Sequence, residues 1–261
     1  MFNLNSKDKD FFEENGYLVK SVLENNDNFN ILSNKFKIEL DKIPLDELKK
    51  LGGFNAGNLN IDPGIIGYQI YKIIKDHNFE IFFHNIVGEK IDNYQIKIGG
   101  NLNLPNSSFQ YFHTDGAWNP RMFVLNIATS KIDFNNGPME IYAKSHQNFL
   151  PYWKFFFKKF KMKRKKITLN LGEVLFREHR LWHRGTKNKS KKNRELLGIM
   201  FLKFENNINN ENQLNIDEEK ISIHSNIFQN TFKGKLKEFI FIYIKPIFEI
   251  YRIILSFIKN I

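Results

Sequence analysis

Cysteine is absent from the 261 residues, so no disulfide frames the fold and no thiolate can hold a metal. Any bound ion must be taken by nitrogen and oxygen donors. The seven prolines are scattered, and no repeat or Pro/Gly/Ser-rich linker divides the chain, which leaves one large domain as the expected core organisation. Long apolar runs are also missing: in the tail from residue 233 onward the longest uncharged runs are six residues, 239–244 and 253–258, too short to span a bilayer. The opening Met-Phe-Asn-Leu-Asn-Ser-Lys-Asp lacks the charged-then-apolar pattern of a signal peptide, and a cytoplasmic location is expected. Acidic residues are short against basic ones, 28 against 39, for a formal net charge of +11. That excess suits an anionic partner, whether nucleic acid, membrane surface or phosphorylated substrate. Equally, Lys, Asn, Ile and Phe are all abundant, as expected from an AT-rich genome, and such drift raises lysine without any binding role.

What is present is ample material for a core, 42% hydrophobic residues with 27 phenylalanines. A helix ends at Gly16, followed by a strand over 17–22; residues 25–62 are polar around a helix at 45–51; an apolar pattern over 63–84 suits a helix packed on the outside. From residue 94 the pattern turns to short strands, at 94–98, 107–112, 122–128, 138–142, 166–169, 174–176 and 195–204, separated by turn signals such as Gly99-Gly100, Asn136-Gly137 and Leu171-Gly172. The expected fold is mainly β with flanking helices: a double-stranded β-helix, or jelly-roll barrel, over residues 1–232, plus a C-terminal amphipathic helix over 233–261.

Phe112-His113-Thr114-Asp115-Gly116 carries the first chemical signal. Along an extended strand, side chains at i and i+2 share a face, so His113 and Asp115 present an imidazole and a carboxylate to one point. His183, seventy residues on, would complete a two-histidine, one-carboxylate facial triad, whose open positions suit Fe(II), a cosubstrate and O2. By the same parity Tyr111 lines that cavity, whereas Gln110 points the other way. Arg194 opens the apolar run Glu195-Leu196-Leu197-Gly198-Ile199-Met200-Phe201, where its guanidinium could hold a dicarboxylate by a bidentate pair.

The segment from His183 through Asn188, five residues on, to Arg194, eleven residues on, resembles the phytanoyl-CoA dioxygenase family. That family's middle piece, a Gly-containing turn into a strand ending in Ser/Thr-His, resembles residues 136–146, closing on Ser145-His146. Its opening, a helix ending in Asn-Gly-Tyr before a strand, resembles residues 11–19, and the likeness runs over residues 8–204. The resemblance implies an Fe(II)- and 2-oxoglutarate-dependent dioxygenase, with His113, Asp115 and His183 on iron, Arg194 on the distal carboxylate of 2-oxoglutarate, and O2 as the oxidant. A carboxylate at Asp115, where halogenases of related fold have Ala or Gly, favours hydroxylation, of a small-molecule or lipid-like substrate. It also implies that Asn188 fixes the loop before Arg194.

Other histidines read as structural. His77 and His84 have no carboxylate at ligand spacing; His179 sits among Arg177, Glu178 and Arg180, as in a polar loop; His146 reads as hydrogen-bonded at the rim, and Trp182 as a wall. Residues 154–166 hold eight basic residues and no acid, interleaved with phenylalanines; a solvated helix packed on the domain, a base-stacking strip and a lipid-surface strip all answer to that pattern. In the tail, Glu238, Lys245, Arg252 and Lys259 recur every seven residues on an otherwise apolar helix whose wide face must be covered by the domain, a second subunit or a membrane interface. Peripheral contact with anionic membrane at its inner face, through 154–166 and 236–261, is therefore a second expectation. Nucleic acid is not expected, because the distal pattern that repair dioxygenases resemble, two arginines framing Asn and Thr, is not found after His183. A non-catalytic metal-binding barrel and a membrane-associated interaction protein remain as alternatives.

Overall fold

Among the described residues, ten strands divide by their hydrogen bonding into two antiparallel sheets. The computed structural model describes residues 1–53, 59–204, 220–225 and 228–259. The strands are β1 (Tyr17–Ser21), β2 (Leu59–Asp62), β3 (Tyr94–Asn103), β4 (Met122–Ile127), β5 (Met139–Tyr142), β6 (Arg164–Ile167), β7 (Glu173–Glu178), β8 (His183–Gly185), β9 (Arg194–Lys203) and β10 (Ser222–Ser225). The larger sheet has the order β1-β7-β4-β9-β3-β2-β10 and the smaller β6-β5-β8, the two-sheet arrangement of a jelly roll rather than one closed barrel. Helices α1 (Asp8–Asn15), α2 (Asp27–Asp41), α3 (Leu45–Lys50), α4 (Gly64–Asp76) and α5 (Phe79–Val87) precede the main run of strands; α6 (Tyr152–Lys158) lies between the strands of the small sheet; α7 (Phe232–Tyr243) and α8 (Lys245–Lys259) close the chain.

Strand alternation decides which side chains meet the helices and which meet the site. In β4, Phe123, Leu125 and Ile127 enter the main core with α1, α2, α4 and α5, while Met122, Val124 and Asn126 point into a cavity. In β9, Leu197, Ile199 and Phe201 join the core while Arg194, Leu196, Gly198 and Met200 line the cavity. Phenylalanines dominate the helix–sheet layer: Phe83 lies 5.3 Å from Phe201, and Phe123 stacks on Phe176 at 5.6 Å between ring centres.

Several expectations shift. Residues 25–44 contain a helix that their polarity conceals: α2 starts where Asn26 accepts a hydrogen bond from Phe29 N at 2.8 Å, and its buried face is Phe29, Ser33, Phe36 and Leu40. The helical pattern over 63–84 breaks into α4 and α5 at Asn78, whose left-handed backbone (φ 63°) reverses the chain. Gly99-Gly100 makes no turn. It lies inside β3, and a Cβ on Gly100 would come within 3.1 Å of Leu196 O. Residues 107–112 form no strand, residues 166–169 pair two residues earlier as β6, and the basic stretch is α6, a short 3-10 turn and β6 in succession. The tail is two helices rather than one, separated at Ile244 before Pro246.

Candidate metal centre and its cavity

The segment carrying His113 leaves the large sheet and is caught by the small one. His113 N donates to His183 O and His183 N donates to His113 O, both at 2.9 Å, so the two histidines stand directly opposite each other. Such a cross-strand pair puts side chains on one face, and the two rings lie 4.4 Å apart between centres. Asp115 N donates to His179 O at 3.0 Å, which turns the carboxylate back over the pair. Ligand atoms of His113, Asp115 and His183 fall within 4.8 Å of one another, and among the described residues they are the group able to hold a metal.

Backbone geometry also selects the tautomers. In each histidine Nδ1 lies against the carbonyl two residues earlier, 3.0 Å from Tyr111 O and 2.9 Å from Leu181 O. With Nδ1–H donating there, each Nε2 keeps its lone pair, and these sit 3.7 Å (His113) and 3.5 Å (His183) from Asp115 Oδ1. Burial pushes both imidazoles below their ordinary value, His183 the further because Arg177 adds to it, so both are held neutral, the ligating form. Burial alone would raise the Asp115 carboxyl; the Arg177 guanidinium outweighs it and holds the group well below the usual carboxylate range. The exposed part of Asp115 faces the cavity. Its second oxygen, Oδ2, accepts from Arg177 Nη2 at 2.5 Å, while Arg177 Nε donates to Asn126 Oδ1 at 2.9 Å.

A cavity of about 580 Å³ opens beside the triad, lined from the large sheet, from Met139, His183 and Gly185 of the small sheet, and from Phe228. Arg194 is buried at its wall; burial lowers its guanidinium to about 10, Nη1 approaches Asn101 Oδ1 only at 3.5 Å, and Nε has no partner among the described residues. A buried cation with spare donors facing a cavity is built to receive an anion. Asn188 ties the loop that leads to it, donating from Nδ2 to Asn103 O (3.0 Å) and Lys192 O (2.8 Å). Ser145 braces the approach to His183: its Oγ accepts from Trp182 N at 2.8 Å and donates to Tyr142 O at 2.7 Å.

The structure thus brings His113, Asp115, His183 and Arg194 to one cavity, with Tyr111 beside them. His146 lies apart, its Nε2 donating to Glu13 O at 3.1 Å. His179 is not in a solvated polar loop: it is buried, with Nε2 donating to Ala117 O (2.9 Å) and Nδ1 accepting from Met122 N (3.0 Å). Gln110 lines the cavity after all, and its Oε1 accepts from Gly185 N at 2.7 Å. The parity that turned it away holds only in a regular strand, which residues 107–112 do not form. Arg177 was not singled out, although a charge following Val174-Leu175-Phe176 in an apolar strand signals a specific partner. Glycines open the floor: Gly99, opposite Gly198 in the register, and Gly100 keep the cavity wall free of side chains.

Residues 76–196, which span the triad and Arg194, match the phytanoyl-CoA dioxygenase family model. Over these residues the chain is similar to the phytanoyl-CoA dioxygenase family. Solved structures share the fold at low identity. The non-heme alpha-ketoglutarate-dependent epimerase SnoN from nogalamycin biosynthesis aligns with a TM-score of 0.62 and 13% identity over 76% of this chain and 80% of its own. EvdO2 from Micromonospora carbonacea var. aurantiaca gives 0.59 and 11% over 77% and 91%, and EctD from S. alaskensis gives 0.59 and 16% over 77% of each. No functionally curated protein matches the chain in sequence. Within the family match, the distal run His183, Asn188 and Arg194 occupies one cavity wall and its support.

Proposed function

We propose that this protein is an Fe(II)- and 2-oxoglutarate-dependent dioxygenase that hydroxylates a C–H bond of a small-molecule or lipid-like substrate. The observation that carries the reading is the conjunction of a neutral, neutral, anionic N,N,O donor set with a buried, under-used arginine on the same cavity wall. The donors fit such an ion: the three ligand atoms lie within 4.8 Å of one another, with Asp115 Oδ1 3.5 and 3.7 Å from two imidazole Nε2 atoms that keep their lone pairs. Two imidazoles and one carboxylate with open positions favour Fe(II) over a closed structural site. His113 Nε2, Asp115 Oδ1 and His183 Nε2 would hold it. Bound there with 2-oxoglutarate and O2, the iron supplies the oxidation, one oxygen atom entering the substrate as hydroxyl and the other leaving in succinate as CO2 departs.

The chain's own residues do the rest. Arg177 anchors the free oxygen of Asp115, so the carboxylate offers one oxygen and keeps its orientation. Arg194 pairs with the distal carboxylate of 2-oxoglutarate and so orients its other end toward the triad. The volume beyond suits a small molecule in addition to the cosubstrate, and Val124, Met139, Leu196 and Met200 give it an apolar side. Residues 1–232 form the dioxygenase domain in this reading, with 233–261 a tail folded onto it. A metal barrel without oxygenase activity would have no use for Arg194 at that wall.

Anaerobic addition of Fe(II) and 2-oxoglutarate tests the proposal: a weak visible charge-transfer band is expected, and it should vanish in His113→Ala, Asp115→Ala and His183→Ala while His146→Ala keeps it. Absence of the band in the unaltered protein, together with no 2-oxoglutarate-dependent succinate, would overturn the reading. SnoN and SnoK are named an epimerase and a carbocyclase, so the substrate's product must also be weighed: hydroxylation leaves it one oxygen atom heavier.

A further inference from the structure

The tail docks through its polar side. In α8, Arg252 donates from Nη2 to Phe112 O at 2.7 Å, buried Ser256 accepts from Trp153 N at 3.0 Å, and Phe248 and Ile253 pack beside them. The guanidinium also lies 3.6 Å from the Tyr152 ring centre and 4.5 Å from that of Tyr111. The wide apolar side faces outward, with Ile250 56%, Ile254 54% and Ile258 74% exposed. α7 extends it through exposed Phe239 and Tyr243, whose rings pair at 4.9 Å. α6 packs along α8, its Trp153 meeting Phe257 at 5.5 Å, and Phe160 just beyond is 79% exposed. Burying such side chains is favourable, so a folded monomer ordinarily turns this face inward. Here hydrogen bonds hold the polar stripe against the domain and leave a continuous apolar surface in water, the mark of an interaction site.

The charge at its border selects the occupant. Residues 154–166 carry eight basic residues and no acidic one, and Lys154, Lys158, Lys161 and Lys163 are exposed. Lys159 stands in the field of Lys245 at the start of α8, which joins that border to the helix. A second copy docked by two-fold symmetry would set this basic border against itself. An anionic bilayer complements it, and aromatic and aliphatic side chains ringed by lysines compose an interfacial membrane surface. We propose that the outward face of α7 and α8, bordered by the lysines of 154–163, seats the protein on the surface of anionic membranes. No described helix is long and apolar enough to cross a bilayer, so the seat is interfacial. The proposal stands apart from the reaction at the metal centre, although Arg252 ties the seated helix to the carbonyl preceding His113.

Vesicle sedimentation of the full chain decides it, using phosphatidylcholine vesicles with and without phosphatidylglycerol. Binding is expected only with phosphatidylglycerol, weakened by salt as the Debye length falls to about 10 Å at 0.1 M, with a residual salt-resistant fraction. Neutralising Lys154, Lys158 and Lys161 to Gln should weaken binding by roughly fivefold per charge, the factor corresponding to about 1 kcal/mol. Ile250→Glu with Ile254→Glu should abolish the salt-resistant fraction while the thermal unfolding curve stays unchanged, because both side chains are exposed. A full chain that stays in the supernatant with anionic vesicles at low salt overturns the proposal. So does unchanged binding by the double glutamate variant, and so does a dimer in sedimentation velocity that dissociates in that variant without any vesicle binding.

Discussion

Replacing Arg177 by Met separates the carboxylate's electrostatic support from the packing around it. The stem keeps its volume, but Asp115 Oδ2 loses its 2.5 Å partner and Asn126 Oδ1 loses its 2.9 Å donor. Removing one member of a buried pair costs about 3–5 kcal/mol, and the lower end applies because Asp115 keeps some exposure to the cavity. Adding about 1 kcal/mol for the orphaned amide oxygen gives a loss of about 3–4 kcal/mol in metal-free protein. At a urea slope of about 3 kcal/mol per molar, the unfolding midpoint should fall by roughly 1 M. Two further measurements bind that loss to its cause. Asp115→Asn placed in the Arg177→Met background should restore stability, since it neutralises the stranded charge. Mn(II), a redox-inert stand-in for Fe(II), should stabilise the unaltered protein by about 2.7 kcal/mol at a hundredfold excess over its Kd and the Arg177→Met protein by the same law. An unchanged midpoint in Arg177→Met, or a double variant no more stable than the single one, would refute the assignment of Arg177 as the partner that keeps Asp115 ionised.

Arg194→Ala should weaken 2-oxoglutarate binding by about 2–5 kcal/mol with little change in Mn(II) affinity, and Arg194→Lys should recover only part because it lacks the planar fork; calorimetric titration reads both. Arg252→Ala removes a charge-assisted bond to Phe112 O and two ring contacts, so a loss of about 2–3 kcal/mol is expected by urea unfolding, accompanied by weaker Mn(II) binding because that carbonyl precedes His113. Burial pushes the imidazoles of His146 and His179 below their ordinary value. The unfolded chain therefore takes up those protons first: stability is full above about pH 6.5 and is lost as pH falls from there toward the folded-state values, and His146→Gln should flatten that slope in a pH series of thermal unfolding.

Much of this protein was legible before folding because its signals are local. His113 and Asp115 stand two apart, His183, Asn188 and Arg194 follow at fixed short intervals, and short apolar runs between turn residues announce antiparallel strands. The helix of Asp27–Asp41 was concealed by composition, since four buried residues carry its face among asparagines and lysines. Other features belong to the tertiary structure alone. Gln110 reaches the cavity because its segment is pinned by Gly185 rather than by a strand, so parity had nothing to act on. Gly99-Gly100 reads locally as a turn, yet lies within a strand, where a Cβ on Gly100 would crowd Leu196 O at 3.1 Å. Arg177 acquires its role only when β7 is set beside β4 and beneath Asp115, a juxtaposition across 62 residues. In the tail, periodicity reveals that the helix has two faces but not which one the domain takes. That choice was made by partners far away in the chain, the Phe112 carbonyl and the Trp153 amide, whose unmet hydrogen bonds claimed the polar stripe and left the apolar one outside.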